Sequence, residues 1–515
     1  MGRDGNESHI AVRRRNNPDL AMTGNIVGAA VNIVIYKRSG QKMNTIDFCA
    51  ADQRIQELIR RDRLPNASVC VCGPDGVIFE KGYGYRDKDF TYPVDGDTVY
   101  GIASMSKSIT ALAIAILECE GKLSYDDPVA RYFPDFSVPG APKDMVTLRT
   151  LAQHTAGIPP IEPLEWSIAM NSPGRDSKWI RNMRASSPNR MDRIEQIIDY
   201  IARCPYPTVG APGENMSYCN EGYAVLSYVV DQEAGMPLEA FCQERVFAPL
   251  GMTRTLMDND CVSAHSMAGD NIVSLFEYEG DTLVCDDHWS VLPPFRGCAM
   301  VKSTARDMAA YYRCLSNYGV HEGRQVLPRA AVERMIGAEI PATDQAVYGL
   351  GLYKRVKAGH VVCEHSGGLH GVSTKGGLLL GEGYGFAVLC SLGDADMDDI
   401  MWTLYNAVTG LPLSESHRWF CPVDRVFSDL PMLEGSYIAH EGEPAVVRVD
   451  ASGHVRVSGH DADLVYCGAG RFLAMDRKDP EKMRARLEFF FRDGRAWGVR
   501  VGSRIYSRET EPSPA

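Results

Sequence analysis

The sequence predicts an α+β fold: an antiparallel sheet built from both ends of the main unit, covered by helices and carrying a helical lobe, followed by a small β-barrel domain. Three observations carry this. Strand-like runs stand at both ends of residues 44–410, a long helix-patterned block separates them, and after residue 430 the chain becomes short alternating runs with Gly/Asp turns. A chain of 515 residues exceeds one average domain and leaves room for two or three.

Residues 1–43 differ from everything that follows. The first 42 residues hold seven Lys/Arg against three acids, a charge of +4 that leaves -16 for the remainder. The apolar run Gly24 to Tyr36 is 13 residues long, contains Asn25 and Asn32, and leads to no small-x-small cleavage site. It fits neither a secretory signal nor a membrane-spanning helix. The stretch reads as a leader, either disordered or a non-native upstream extension with Met43 as the functional start.

From residue 44 the pattern is globular. In "DQRIQELIRRDRL" the residues Ile55, Leu58 and Ile59 fall at helical spacing, and "ASVCVCGPDGVIFEKGYGYRD" holds two strand runs around a Gly-Pro-Asp-Gly turn. The segment "YGIASMSKSITALAIAILE", Tyr100 to Glu118, opens polar and continues as an apolar helix. Between Thr147 and Asn317 helical patterns dominate, among them "EGYAVLSYVVDQEAG", stopped by Gly235. Strands return in "YGLGLYKRVKAGHVVCEHSGG" and "TKGGLLLGEGYGFAVLCSL", and "MDDIMWTLYNAVTG" closes the unit as a helix stopped at Gly410. Residues 411–430 read as a Pro/Ser-containing linker and 431–515 as the barrel domain.

The formal charge of -12 argues against nucleic acid or an anionic membrane as the main partner. Fifteen cysteines, an odd number, are scattered with no CxxC pair and no Cys/His cluster at zinc spacing. They read as small buried hydrophobes in a reducing compartment, which places the protein in the cytoplasm rather than outside the cell or on a membrane. No His-Glu-x-x-His and no Gly-x-Ser-x-Gly occur, so a metallohydrolase or an α/β-hydrolase is not indicated.

Chemistry concentrates in three places. Ser104 and Lys107 are three apart and therefore neighbours on one helix face. A serine hydroxyl needs a base, and a desolvated lysine can be one. The spacing recurs in "SGQK", Ser39 to Lys42, but only Ser104 opens an apolar helix behind a hairpin. Further on, "GENMSYCNEGYAVLSYVV" sets Tyr218 and Asn220 just ahead of a helix, and "CEHSGGLHG" sets His365, Gly367 and Gly368 at a strand end.

In this order, Ser-x-x-Lys, Tyr-x-Asn and His-x-Gly, the chain resembles the serine β-lactamase-like family of class C type, with its D,D-peptidases, D-aminopeptidases and esterases. Family-like segments "LRTLAQHTAGIP", "FAPLGMTRT" and "GCAMVKSTARDMAAYY" lie between the motifs. The resemblance runs from about Asp47 to Gly410 and implies a β-lactamase/transpeptidase-like fold. It implies Ser104 as nucleophile, Lys107 as its activator, and Tyr218 as a phenol that moves the proton, its pKa lowered by the ammonium. It gives Asn220 to the substrate's acyl-side amide, and the oxyanion to the backbone N–H groups of Ser104 and Gly368, with Gly367 and Gly368 allowing close approach. His365 stands where penicillin-recognising members carry lysine; partly charged near neutrality, it would grip a carboxylate weakly. Cys219, the middle residue of Tyr-x-Asn, is expected to change little. His370 is a candidate pocket residue, and His154 reads as packing or hydrogen-bonding.

The implied activity is a cofactor-free and metal-free serine hydrolase acting on an amide or ester of a small peptide, D-amino-acid derivative or short ester through an acyl-enzyme. A β-lactamase or penicillin-binding D,D-carboxypeptidase, and a catalytically weak binding or scaffold protein, are the alternatives. By resemblance the barrel is lipocalin-like, and covers the cleft, mediates homo-oligomerisation, or is a stabilising appendage.

Overall fold

The computed structural model describes residues 46, 48–171, 178–286, 288–343, 345–417, 422–424, 427–441, 445–479 and 483–509. The expected leader and part of the expected linker lie outside the described residues. Eight strands form the main sheet: β1 (Asn66–Gly73), β2 (Gly76–Gly84), β3 (Ile340–Pro341), β4 (Val347–Tyr348), β5 (Tyr353–Lys357), β6 (His360–Leu369), β7 (Val372–Leu379) and β8 (Tyr384–Cys390). Their order is β3-β4-β5-β6-β7-β8-β1-β2, antiparallel throughout, so the two chain ends of the unit meet where β8 pairs with β1.

Period-2 alternation sorts the side chains between two layers. Val69 and Val71 of β1 pack with α1 (Phe48–Arg61) and α5 (Asp398–Thr409), while Cys70 and Cys72 face the larger core of the helical lobe. At the centre of that lobe runs α2 (Ser106–Cys119), every residue of which from Ser106 to Leu117 is buried. An apolar sequence on all sides belongs inside a protein, and here it carries Lys107 in with it. Two other helices position the site: α3 (Pro163–Met170) and α4 (Asn220–Ala234), the latter ending on Gly235 in the left-handed conformation. Of the fourteen described cysteines eight are buried.

The C-terminal part is a closed barrel of β9 (Gly435–Ala439), β10 (Ala445–Val449), β11 (Val455–Val457), β12 (His460–Gly468), β13 (Arg471–Asp476), β14 (Met483–Arg492), β15 (Arg495–Val501) and β16 (Arg504–Arg508). Tyr437, Val447, Phe472, Leu487, Phe489 and Val499 fill its interior, which is a packed core. No helix among the described residues is long and apolar enough to cross a membrane.

Candidate active site

Ser104 sits in a short 3₁₀ turn, Ala103–Met105, that runs directly into α2 at Ser106. The residue before it, Ala103, has φ +43°, a left-handed conformation that costs a non-glycine residue on the order of 1–3 kcal/mol and collects at functional sites. Lys107 is fully buried. Its Nζ donates to Asn220 Oδ1 at 2.8 Å and to the Cys298 carbonyl at 3.1 Å, and stands 2.9 Å from Ser104 Oγ. Two of its three positions face groups that only accept, and the third faces the Ser104 hydroxyl, which can both accept and donate. Burial brings the Lys107 ammonium down to about 8, against 10.5 for a free lysine.

The expectation for Tyr218 is corrected here. Burial raises its phenol well above the ordinary range, against the opposing pull of the Ser104 hydroxyl and the Arg504 guanidinium. Tyr218 therefore stands as a protonated O–H, and the group tuned toward neutrality is Lys107. Its ring lies 4.9 Å from Lys107 Nζ.

Strand β6 brings His365, Gly367 and Gly368 to the opposite wall. His365 is 3% exposed, burial beside Lys107 lowers its ring to about 3, and both ring nitrogens have protein partners, Tyr348 Oη and the Ser366 carbonyl. The expected partial charge is thus absent. Gly367 is fixed by space: a Cβ would stand 2.2 Å from the Ile102 carbonyl oxygen and 2.5 Å from Thr374 Oγ1. Gly368 is different, since a Cβ there would meet nothing within 4 Å. It faces the open cavity.

That cavity has a volume of about 1080 Å³ and is bordered by Ser104, Tyr218, Asn220, His365, Gly368 and His370. Leu164, Ile168, Trp179, Ile180, Val284 and Leu369 give it an apolar flank, and Glu165, Glu277, Glu279, Asp286, Asp394 and Glu441 an acidic one. His370 is held between Glu277 at 2.9 Å and Asp286 at 3.3 Å.

Residues 51–410 match the family model described as Beta-lactamase. The chain belongs to the Beta-lactamase family. Among relatives of this family member, "Penicillin-binding protein 4*" of Bacillus subtilis is 25% identical over 331 residues, 62% of this chain and 67% of the relative. A "D-aminopeptidase" of Cereibacter sphaeroides is 26% identical over 336 residues, 64% of this chain and 57% of the relative. The match therefore spans little more than half of that second protein. The structure of the octameric penicillin-binding protein homologue from Pyrococcus abyssi superposes with a TM-score of 0.62 at 21% identity, covering 89% of this chain and 99% of that one. At that identity the likeness is one of fold.

Several residues at the site of this Beta-lactamase family member come from the barrel and have no local signal in the sequence. The turn between β15 and β16 enters the cleft: Tyr218 N–H donates to the Ser503 carbonyl at 2.8 Å, Ile505 N–H donates to Ser217 Oγ at 3.1 Å, and Ser503 Oγ lies 2.7 Å from Tyr353 Oη. Arg504 pairs with Glu441 through both its Nε and Nη2, and its guanidinium lies 4.9 Å from the Tyr218 ring centre. Glu441 accepts from Asn220 Nδ2 at 3.1 Å. The amide expected to meet substrate is thus ligated by Lys107 on one side and by the barrel on the other. Glu165 of α3 was likewise missed; it borders the cavity without a hydrogen-bond partner among the described residues, and burial next to Glu441 raises its carboxyl to about 8.

Proposed function

We propose that this protein is a serine hydrolase that cleaves the amide or ester of a small acyl group bearing a free amine: an amino-acid derivative or a short peptide with an open amino terminus. The observation that carries the reading is the Glu441 carboxylate on Asn220 Nδ2. An N-acylated substrate would need that amide donor for its own carbonyl. With a carboxylate already there, and on the same cavity the Glu165 carboxyl, which is protonated near neutrality and ionises when an ammonium sits beside it, the acyl side suits a free amine. The apolar flank suits an uncharged side chain. The name of the Cereibacter relative favours D-configured substrates within this class.

In this mechanism the neutral fraction of Lys107, about a tenth at pH 7 for a group at about 8, takes the proton of Ser104 as Oγ attacks the carbonyl carbon. The backbone N–H groups of Ser104 and Gly368 receive the oxyanion. Tyr218 donates its proton to the leaving nitrogen or oxygen and is reprotonated from Lys107. Water then attacks the acyl carbon, its proton passing through Tyr218 to neutral Lys107, and the bond to Ser104 Oγ breaks as Lys107 returns a proton to that oxygen, releasing the acid. No metal or cofactor has a step in it.

A penicillin-recognising activity is the second reading, favoured by the name of the Bacillus relative. Against it, His365 is neutral and the guanidinium of Arg504 is committed to Glu441, so no uncommitted cation is offered to a substrate carboxylate by these two residues. A homo-oligomer belongs to the proposal on the strength of the octameric Pyrococcus homologue, and light scattering at micromolar concentration tests it. The activity is tested by intact mass after a fluorophosphonate probe and, separately, penicillin, with wild type beside Ser104→Ala. A single fluorophosphonate adduct lost in the variant, no penicillin adduct, and faster turnover of an amino-acid p-nitroanilide than of its N-acetyl form are expected. A penicillin adduct on Ser104 would move the assignment to the second reading. Folded protein labelled by neither probe would move it to a binding or scaffold role.

A further inference from the structure

The proposed reaction uses neither His154 nor Tyr348, although both are buried and the His154 ring packs on Tyr218. Cys219 N–H donates to His154 Nδ1 at 3.1 Å, and His154 Nε2 lies 3.3 Å from Tyr348 Oη. Tyr348 Oη in turn lies 3.2 Å from His365 Nε2, and His365 Nδ1 lies 2.6 Å from the Ser366 carbonyl oxygen. The two ends of this series fix its direction. A backbone N–H only donates, so His154 Nδ1 is the bare nitrogen and a neutral ring carries its proton on Nε2. A carbonyl only accepts, so His365 holds its proton on Nδ1 and presents a bare Nε2 to Tyr348. Both rings are neutral because burial, with the Lys107 ammonium close by, keeps them below the usual histidine range. Tyr348 then accepts from His154 and donates to His365, and a single proton arrangement satisfies every member.

We propose that His154 and Tyr348 are positioning residues which tie the Tyr218 segment to the strand of Gly367 and Gly368 through this one-way chain of hydrogen bonds. The chain sets the spacing between the proton donor and the oxyanion-binding backbone. His154 holds its end twice, because its carbonyl also accepts from Ser217 N–H at 2.9 Å, which brackets Tyr218 by both sequence neighbours. Its ring packs on Tyr218 with centroids 4.3 Å apart. It does so at φ +59°, a strained conformation for a residue with a Cβ.

The inference rests on the roles given to Tyr218 and Gly368 above, so its first test is independent of turnover. In protein labelled with ¹⁵N-histidine, long-range imidazole correlations, assigned with single-histidine variants, are expected to show His154 protonated on Nε2 and His365 on Nδ1, both through neutral pH. The opposite tautomer at either ring overturns the chain. Tyr348→Phe is expected to lower kcat by roughly 10- to 100-fold, the scale of an ångström of misplacement, with KM within about twofold and the melting temperature little changed. His154→Asn keeps an acceptor near Cys219 N–H and tolerates the left-handed backbone, so it is expected to retain more activity than His154→Gln. Folded Tyr348→Phe protein with wild-type kcat would refute the positioning role. Loss of the Ser104 adduct reading with both tautomers intact would instead refute the proposed reaction alone.

Discussion

Lys107 supplies the most exposed prediction, because its burial fixes both a midpoint and a magnitude. A free lysine at 10.5 has only about one molecule in 3,000 neutral at pH 7, whereas one at about 8 has about one in eleven, a gain of roughly 300-fold in the active base. The sign follows from the charge: the neutral form grows as pH rises, so kcat is expected to climb about tenfold per unit below 8 and to level above it. The assay is hydrolysis of an amino-acid p-nitroanilide between about pH 6.5 and 9, in constant ionic strength, with kcat and KM separated at each point. Lys107→Arg puts a guanidinium that does not deprotonate in the same place, and is expected to cut kcat by at least about 10²-fold and to remove the limb. Lys107→Met serves as the control for a variant that fails to fold. Glu165 titrates in the same region, yet the proposed reaction gives it to binding, so Glu165→Gln is expected to keep the limb in kcat. A flat wild-type profile, or a limb near 8 that survives in folded Lys107→Arg or Lys107→Met protein, would refute the assignment of the base.

Three further outcomes are expected. Assayed at about pH 9, where Glu165 is ionised, Glu165→Gln raises KM for free-amine substrates by about tenfold and leaves N-acetyl substrates unchanged, as loss of one charge-assisted contact predicts; equal effects on both would argue against an amine site. Gly367→Ala drives a Cβ against the Ile102 carbonyl and costs about 1–3 kcal/mol or more in stability, while Gly368→Ala melts like wild type and loses activity because its methyl enters the cavity; paired thermal melts and kinetics check both. Deleting residues 425–515 removes the acceptor of Tyr218 N–H and the partner of Asn220 Nδ2, so a folded truncated chain is expected to lose kcat and its preference for free amines, and an unchanged substrate profile would show the barrel to be an appendage.

What the sequence discloses and what it withholds divide along a physical line. Ser104 with Lys107, Tyr218 with Asn220, and His365 with Gly367 are each set by a local geometry: three residues on a helix face, an entry to a helix, an alternating strand. Local geometry has a local signature, and the sheet, its covering helices and the closed barrel follow from the same periodicities. Charge states do not, because they depend on desolvation by residues far away in the chain. A histidine at position 365 reads as half-charged until Tyr348 and the Ser366 carbonyl are seen to use both of its nitrogens. Tyr218 reads as an acidified phenol until its burial is known.

The barrel is the extreme of that rule. "GSRIY" carries nothing beyond a turn and the start of a strand, and Arg504 acquires meaning only because docking sets Ser503 on Tyr218 N–H and Glu441 on Asn220. One consequence bears on specificity. The sheet and helical lobe supply the three motifs, and with Asn220 uncovered they present an amide donor suited to an acylated substrate. On the proposed reading the barrel covers that donor with a carboxylate, and so changes which acyl group fits while Ser104 and Lys107 keep their places. On this argument substrate class within such a scaffold is set by the turn between β15 and β16 together with Glu441, and exchanging Glu441 for Gln with Arg504 for Ala is expected to shift preference toward N-acylated substrates while the pH limb of Lys107 stays in place.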